Sequence, residues 1–163
     1  MTKLTIAIIA IVLIPASALA QTGETPRGWG YGFGGIGGMS GGFGSTMAHV
    51  GAGGEGLFYK GLGAGAEIGY LAPTRSFGDG IGLASVNVAY HFVGTGSKQK
   101  VVPFVTGGGS IAFRQSAAGG ANFGGGVQYW MKDRVALRFE FRDHIFSSDS
   151  PHFYAFRAGI AFR

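Results

Sequence analysis

Few residues in this chain of 163 combine the type and the spacing that chemistry needs. Gly32-Phe33-Gly34-Gly35-Ile36-Gly37 spells the Gly-x-Gly-x-x-Gly turn that cradles a dinucleotide pyrophosphate. That use requires a strand before the turn and a helix after it, and the flanking sequence offers no helix. With 33 glycines in the chain, such a match arises by chance. His144 stands beside Asp143 and just before Ser147 and Ser148, the residue types of a nucleophilic acyl-transfer site. Nucleophile and base must converge within hydrogen-bond reach, and on a strand the same-face neighbour of His144 is Phe146. Ser150 and His152 have a workable spacing but straddle Pro151 in a turn. The four histidines are dispersed, and no His-carboxylate spacing suggests a metal site, so neither a cofactor nor a metal is expected.

The polar residues that carry most information are charges set among apolar neighbours: Glu55, Glu67, Arg138, Glu140, Arg142 and Arg157, with His49 and His91 as further candidates. Alternation places all of them on the faces opposite the apolar residues of their segments. Buried charges persist only when paired and hydrogen-bonded, so the expectation is an interior ion-pair network that fixes register and blocks a channel. If the last two segments pair around Asp149, Arg142 lies nearly opposite Arg157, and Glu140 reaches Arg157 on the diagonal.

The elements that must hold these residues are strands. Apolar residues alternate with small or polar ones over Trp29 to Met39, Thr46 to Phe58, Leu62 to Ala72 and Gly80 to Phe92. The pattern continues over Val101 to Arg114, Ala121 to Met131, Val135 to Phe146 and His152 to Arg163, eight segments in all with no helical period. Val135, Leu137, Phe139 and Phe141 share one face against Arg138, Glu140 and Arg142; Phe156, Ile160 and Phe162 share another against Arg157. The segments between Trp29 and Ala72 are so rich in glycine that their phase is open.

A soluble, secreted Gly-rich β-domain and a transmembrane barrel both bury alternating strands. A solvated polar face would carry long Lys and Glu side chains. Here the polar faces are mostly Gly, Ala, Ser and Asn, and only 13% of the chain is charged, which suits a crowded barrel interior. Eight strands close to a barrel whose inside is just filled by side chains. The seven apolar residues named on the last two strands then face lipid. Trp29, Tyr31, Phe92 and Tyr129 are expected in a belt at the rim near the termini, and Tyr70, Phe113 and Tyr154 in a belt at the other rim. Connections alternate too: Tyr59 to Gly61 and Lys132 to Asp133 are tight, whereas Ser40 to Ser45, Pro73 to Asp79, Gln115 to Gly120 and Ser147 to Pro151 are longer. Val93 to Lys100 is a long connection on the tight-turn side.

Residues 1–20 read as an export signal: Lys3, an apolar run from Leu4 to Ile14, Pro15, and small residues at Ala18 and Ala20 before cleavage at Gln21. Residues 21–163 form one β-barrel domain in this reading. The apolar run is too short to span as a helix, which takes about 20 residues. The net charge of +5 is scattered over Lys60, Arg75, Lys98, Lys100, Arg114 and the last third, so no nucleic-acid partner is expected. Without cysteine, stability must come from a core or a bilayer.

The export signal, the eight segments, the run from Arg138 to Phe146 and the closing run from Phe153 to Arg163 resemble the small outer-membrane β-barrel domains of OmpA-type and opacity-type proteins. The resemblance implies an eight-stranded antiparallel up-and-down transmembrane barrel in the outer membrane. It implies a structural or surface-interaction role, with outer-membrane lipids, lipopolysaccharide and the barrel-assembly machinery as partners and an external partner left unspecified. Such proteins commonly end on an aromatic residue; this chain ends Phe162-Arg163, and no periplasmic domain is expected after it. Some barrels of this size are lipid A-modifying enzymes, which makes His144 with a nearby Ser the enzymatic alternative.

Overall fold

The computed structural model describes residues 28–40, 46–94, 99–147 and 152–163. The export signal with Ala18, Ala20 and Gln21, the candidates Ser148 and Ser150, and parts of three connections lie outside the described residues. Eight antiparallel strands follow one another: β1 (Gly28–Met39), β2 (Thr46–Tyr59), β3 (Leu62–Pro73), β4 (Ile81–His91), β5 (Val101–Phe113), β6 (Ala117–Lys132), β7 (Val135–Phe146) and β8 (His152–Phe162). Each pairs with the next and β1 pairs with β8, from Gly30↔Phe162 to Met39↔Phe153, so the sheet closes and leaves no edge.

The strand positions follow the alternation in the sequence, with one clear departure. Residues Ala117 to Gly120, expected in a loop because they are small, pair with Phe113 to Ser110 and lengthen β6. Only a bend at Arg114 to Ser116 then separates β5 from β6. Turns at Lys60-Gly61 and Asp133-Arg134 close β2–β3 and β6–β7 at the end that holds the start of β1 and the finish of β8. Gly61 sits at φ +88, where a side chain is strained, and its missing Cβ would also meet the His91 carbonyl oxygen at 2.3 Å. At the opposite end, the Tyr70 hydroxyl donates to the Phe77 carbonyl at 2.7 Å and accepts from the Gly80 amide at 3.1 Å, pinning the β3–β4 connection.

The outward surface is apolar. Phe139, Phe141, Phe156, Ile160 and Phe162 are exposed on the outer face of β7 and β8, and Val135 and Leu137 are half-buried on the same face. Val86, Val88, Val105, Ile111 and Phe123 continue the band around β4 to β6. Phe92, Tyr129, Phe113 and Tyr154 are exposed near its two margins. Trp29 and Tyr31, expected in the belt beside the termini, instead point into the barrel and are 9% and 6% exposed. The reason is glycine on both faces of the first two strands. The outer positions in the first half of β1 are Gly28, Gly30, Gly32 and Gly34, and the inner positions of β2 that pair with Phe33 and Tyr31 are Gly51 and Gly53. A Cβ on Gly53 would lie 2.8 Å from the Tyr31 ring, and one on Gly51 would lie 2.7 Å from the Phe33 ring. The rings of β1 occupy the space that those side chains leave.

A closed, edge-free barrel with a continuous apolar exterior and charges turned inward satisfies its backbone within the sheet and presents hydrocarbon to hydrocarbon. It is an eight-stranded antiparallel transmembrane β-barrel.

Candidate functional site

All six charges singled out in the sequence converge in the lumen, where each is at least nine-tenths buried. The β7–β8 register explains how. Glu140 pairs directly with Arg157, and Arg142 with Ala155, whereas pairing around Asp149 was expected to bring Arg142 nearly opposite Arg157. The observed register sets unlike charges opposite each other in place of two like ones.

Glu140 is the hub. Its Oε1 accepts from Arg142 Nη2 at 2.5 Å and Arg157 Nη2 at 2.9 Å, and its Oε2 accepts from Arg138 Nε at 3.2 Å. Arg157 crosses the lumen to Glu67 on β3, with Nη1 to Oε1 at 2.9 Å. Arg138 reaches Glu55 on β2 at 3.5 Å, and the other oxygen of Glu55 meets His91 Nε2. Three guanidinium groups thus face three carboxylates, and their charges balance.

Neutral groups complete it. The Tyr31 hydroxyl donates to Glu67 at 3.1 Å, Arg142 Nη1 donates to Asn122 Oδ1 at 2.5 Å, and Arg138 Nη1 donates to Gln128 Oε1 at 3.4 Å. Aromatic faces cover the cations: Arg138 lies 3.9 Å from the Phe104 ring centre and Arg157 lies 4.2 Å from that of Phe33. Glycines on neighbouring strands make the room. A Cβ on Gly126 would be 2.9 Å from Phe104, one on Gly124 would be 3.2 Å from Arg142 Cδ, and one on Gly35 would be 3.1 Å from Arg157 Cγ.

Alternation alone could have found Asn122 and Gln128, which share a face with Gly124 and Gly126. The cross-lumen partners Tyr31, Phe33 and Phe104 have no such signal, because their contacts depend on how the closed sheet staggers.

Towards the end opposite the termini the lumen holds a second polar group. His144 is fully buried, and its Nδ1 lies 3.0 Å from Ser110 Oγ, which also contacts Ser85 Oγ at 2.8 Å and Asn122 Nδ2 at 2.9 Å. His49 packs edge-on to His144 with ring centres 6.0 Å apart, and Phe153 stacks on His144 and meets His49 edge to face. Of the serines expected as partners of His144, Ser147 is the one among the described residues, and it does not approach the imidazole. Ser147 Oγ donates to the Gly119 carbonyl at 2.6 Å at the rim, while the imidazole turns inward. Among the described residues, no group of three His, Asp or Glu side chains is placed to hold a metal ion.

This combination, an edge-free eight-stranded sheet, an apolar outer band and a charged, filled interior, is that of the small barrels of bacterial outer membranes. Known structures agree. The N-terminal β-barrel domain of Pseudomonas aeruginosa OprF superposes with a TM-score of 0.59 at 13% identity, covering 85% of this chain and 100% of that one. Neisserial surface protein A gives 0.68 at 12% identity over 83% of this chain and 96% of its own. Ail, the attachment invasion locus protein of Yersinia pestis, gives 0.59 at 9% identity over 85% and 99%. No protein-family profile matches the sequence, and no curated protein matches it either. The protein is an outer-membrane-type barrel that shares its fold, and little of its sequence, with these structures.

Proposed function

We propose that the protein is a non-enzymatic structural or surface-interaction component of the outer membrane, a barrel whose lumen is closed by its own ion pairs. The observation that carries this reading is the Glu67–Arg157–Glu140–Arg142 chain, which runs across the lumen from β3 to β7 and β8 with no guanidinium left unpaired. A conducting pore needs mobile water along its axis, and here the axis is occupied by neutralised side chains packed on Tyr31, Phe33 and Phe104. The end with both termini and the tight turns faces the periplasm, as in bacterial barrels generally, so the connections after β1, β3, β5 and β7 face outward. Lipid and lipopolysaccharide contact the apolar band, and the barrel-assembly machinery inserts it.

Among the described residues the geometry does not favour the enzymatic alternative. A lipid acyl chain lies outside the barrel, whereas His144 and Ser110 are both inside it and buried.

Single-channel recording in planar bilayers tests the closure. The expected result is no conductance above the bare membrane for the intact protein, with openings when Arg157 and Glu140 are both replaced by Ala. Stable conductance by the intact barrel would overturn the reading.

A further inference from the structure

The lumen is solid at its centre but hollow at the end that carries the termini. A cavity of about 530 Å³ opens there, lined by Met131, Lys132 and Asp133 at the tight turn and by Val93, Gly94, Gln99 and Lys100 after β4, well within the range of small-molecule sites. We infer that this cavity is a binding site for a small organic anion with an aromatic or apolar body, entered from the periplasmic mouth. That direction of entry rests on the orientation given above; the site itself does not.

Charge is the first support. Among the described residues that line the cavity, Lys100, Lys132 and Arg163 stand against one side-chain carboxylate, Asp133. His91, at the inner end, is already committed to Glu55. Three cations around one concave mouth attract an anion more strongly than the same charges on an open face.

The inner wall is the second, where Trp29 and Gln128 line the cavity and both are buried, Gln128 to 1% exposure, so the closed end of the site is an indole ring and a packed neutral amide with no charge of its own.

The apolar body follows from the remaining wall. Trp29 and Trp130 meet edge to face with ring centres 6.2 Å apart, and Leu57, Val93, Val102 and Met131 lie around them. The Arg163 guanidinium lies 4.1 Å from the Trp130 ring centre and donates through Nε to the Asp133 carbonyl, which fixes a cation on the indole face. Gln99 holds the rim in place by donating through Nε2 to the Phe92 and Val101 carbonyls at 3.0 and 2.8 Å. An inorganic ion would use the cations and leave these surfaces bare.

Trp29 and Trp130 are the two tryptophans of the chain, so intrinsic fluorescence reports directly on the site. With the protein in lipid nanodiscs, titration with 4-bromobenzoate, a heavy-atom quencher, should quench saturably in both Trp29→Phe and Trp130→Phe. The uncharged 4-bromobenzyl alcohol should bind more weakly, and inorganic phosphate should compete poorly. Lys100→Gln/Lys132→Gln should weaken 4-bromobenzoate by about fivefold or more, since each partly exposed charge contributes modestly, while the heat-dependent gel mobility of the folded barrel is kept. Equal affinity for the alcohol, an unchanged double variant, or quenching that rises linearly without saturating would each overturn the site. Displacement by phosphate at matching concentration would overturn the apolar half of the ligand.

Discussion

Replacing Glu140 with Gln is the most direct challenge to the reading of the interior. Glu140 takes Arg138, Arg142 and Arg157 at 3.2, 2.5 and 2.9 Å, so the amide leaves three guanidinium groups with two carboxylates. Its NH2 also turns a donor towards donors, with no solvent to relieve the clash. Removing one partner of a buried ion pair costs about 3–5 kcal/mol, and the three-way hub puts this site at the upper part of that range. The double variant Glu140→Gln/Arg142→Gln restores neutrality, because Arg157 keeps Glu67 and Arg138 keeps Glu55. It should therefore be more stable than the two single costs predict, by about 1–3 kcal/mol of coupling. Equilibrium urea unfolding in lipid vesicles, followed by the fluorescence of Trp29 and Trp130, measures both quantities. A loss below about 1 kcal/mol for Glu140→Gln, or strict additivity in the cycle, would refute the claim that the lumen is organised by charge pairing.

Other substitutions probe separate parts of the structure. Gly53→Ala puts a Cβ 2.8 Å from both the Tyr31 ring and the Ala66 carbonyl oxygen, and overpacking of this kind should cost about 1–3 kcal/mol in the same unfolding assay. Phe156, 68% exposed near the middle of β8, faces the bilayer centre, so Phe156→Arg should lose about 2–4 kcal/mol and insert more slowly into vesicles. His144→Ala should leave the lipid A profile by mass spectrometry identical to that of cells carrying the unaltered protein, and a changed profile would restore the enzymatic reading.

Much of the barrel is written in period-two alternation, and it is clearest where one face is aromatic and the other charged. Val135 to Phe146 shows this best: its boundaries and faces follow from the residues alone. Legibility fails where glycine removes the contrast. On β1 the aromatic residues alternate with glycine, and nothing in the strand itself says that the rings face inward; that is decided by Gly51 and Gly53 across the pair. The β7–β8 register was likewise open to an even-numbered shift, which leaves all faces unchanged and alters only who meets Arg157. Ser110 with His144, and Tyr31 with Glu67, are contacts across a closed cylinder between strands far apart in the chain. Their pairing depends on strand stagger, which no local pattern records.

The inversion of β1 has a consequence for how the barrel closes. β1 and β8 form the last seam, yet the outer face of β1 is glycine at 28, 30, 32, 34 and 38, with Ile36 the single large side chain. Such a strand gains little from lipid on its outer side, since the gain scales with apolar area. Its inner side carries Trp29, Tyr31 and Phe33, which pack with Ala136 and Ala161 and cover Arg138 and Arg157. The seam must therefore be held from within. Tyr31→Ala removes a buried ring, its bond to Glu67 and the cover on Arg138, and should cost about 3–5 kcal/mol, the range for large-to-small changes in a packed core. Ile36→Ala, on the same strand and 62% exposed to lipid, gives up three carbons of apolar contact with the bilayer and should cost about 1–2 kcal/mol. Urea unfolding of the two variants side by side gives the comparison. If Ile36→Ala proves the more damaging, β1 is anchored by the bilayer, and the inward placement of its aromatic residues is not what closes the barrel.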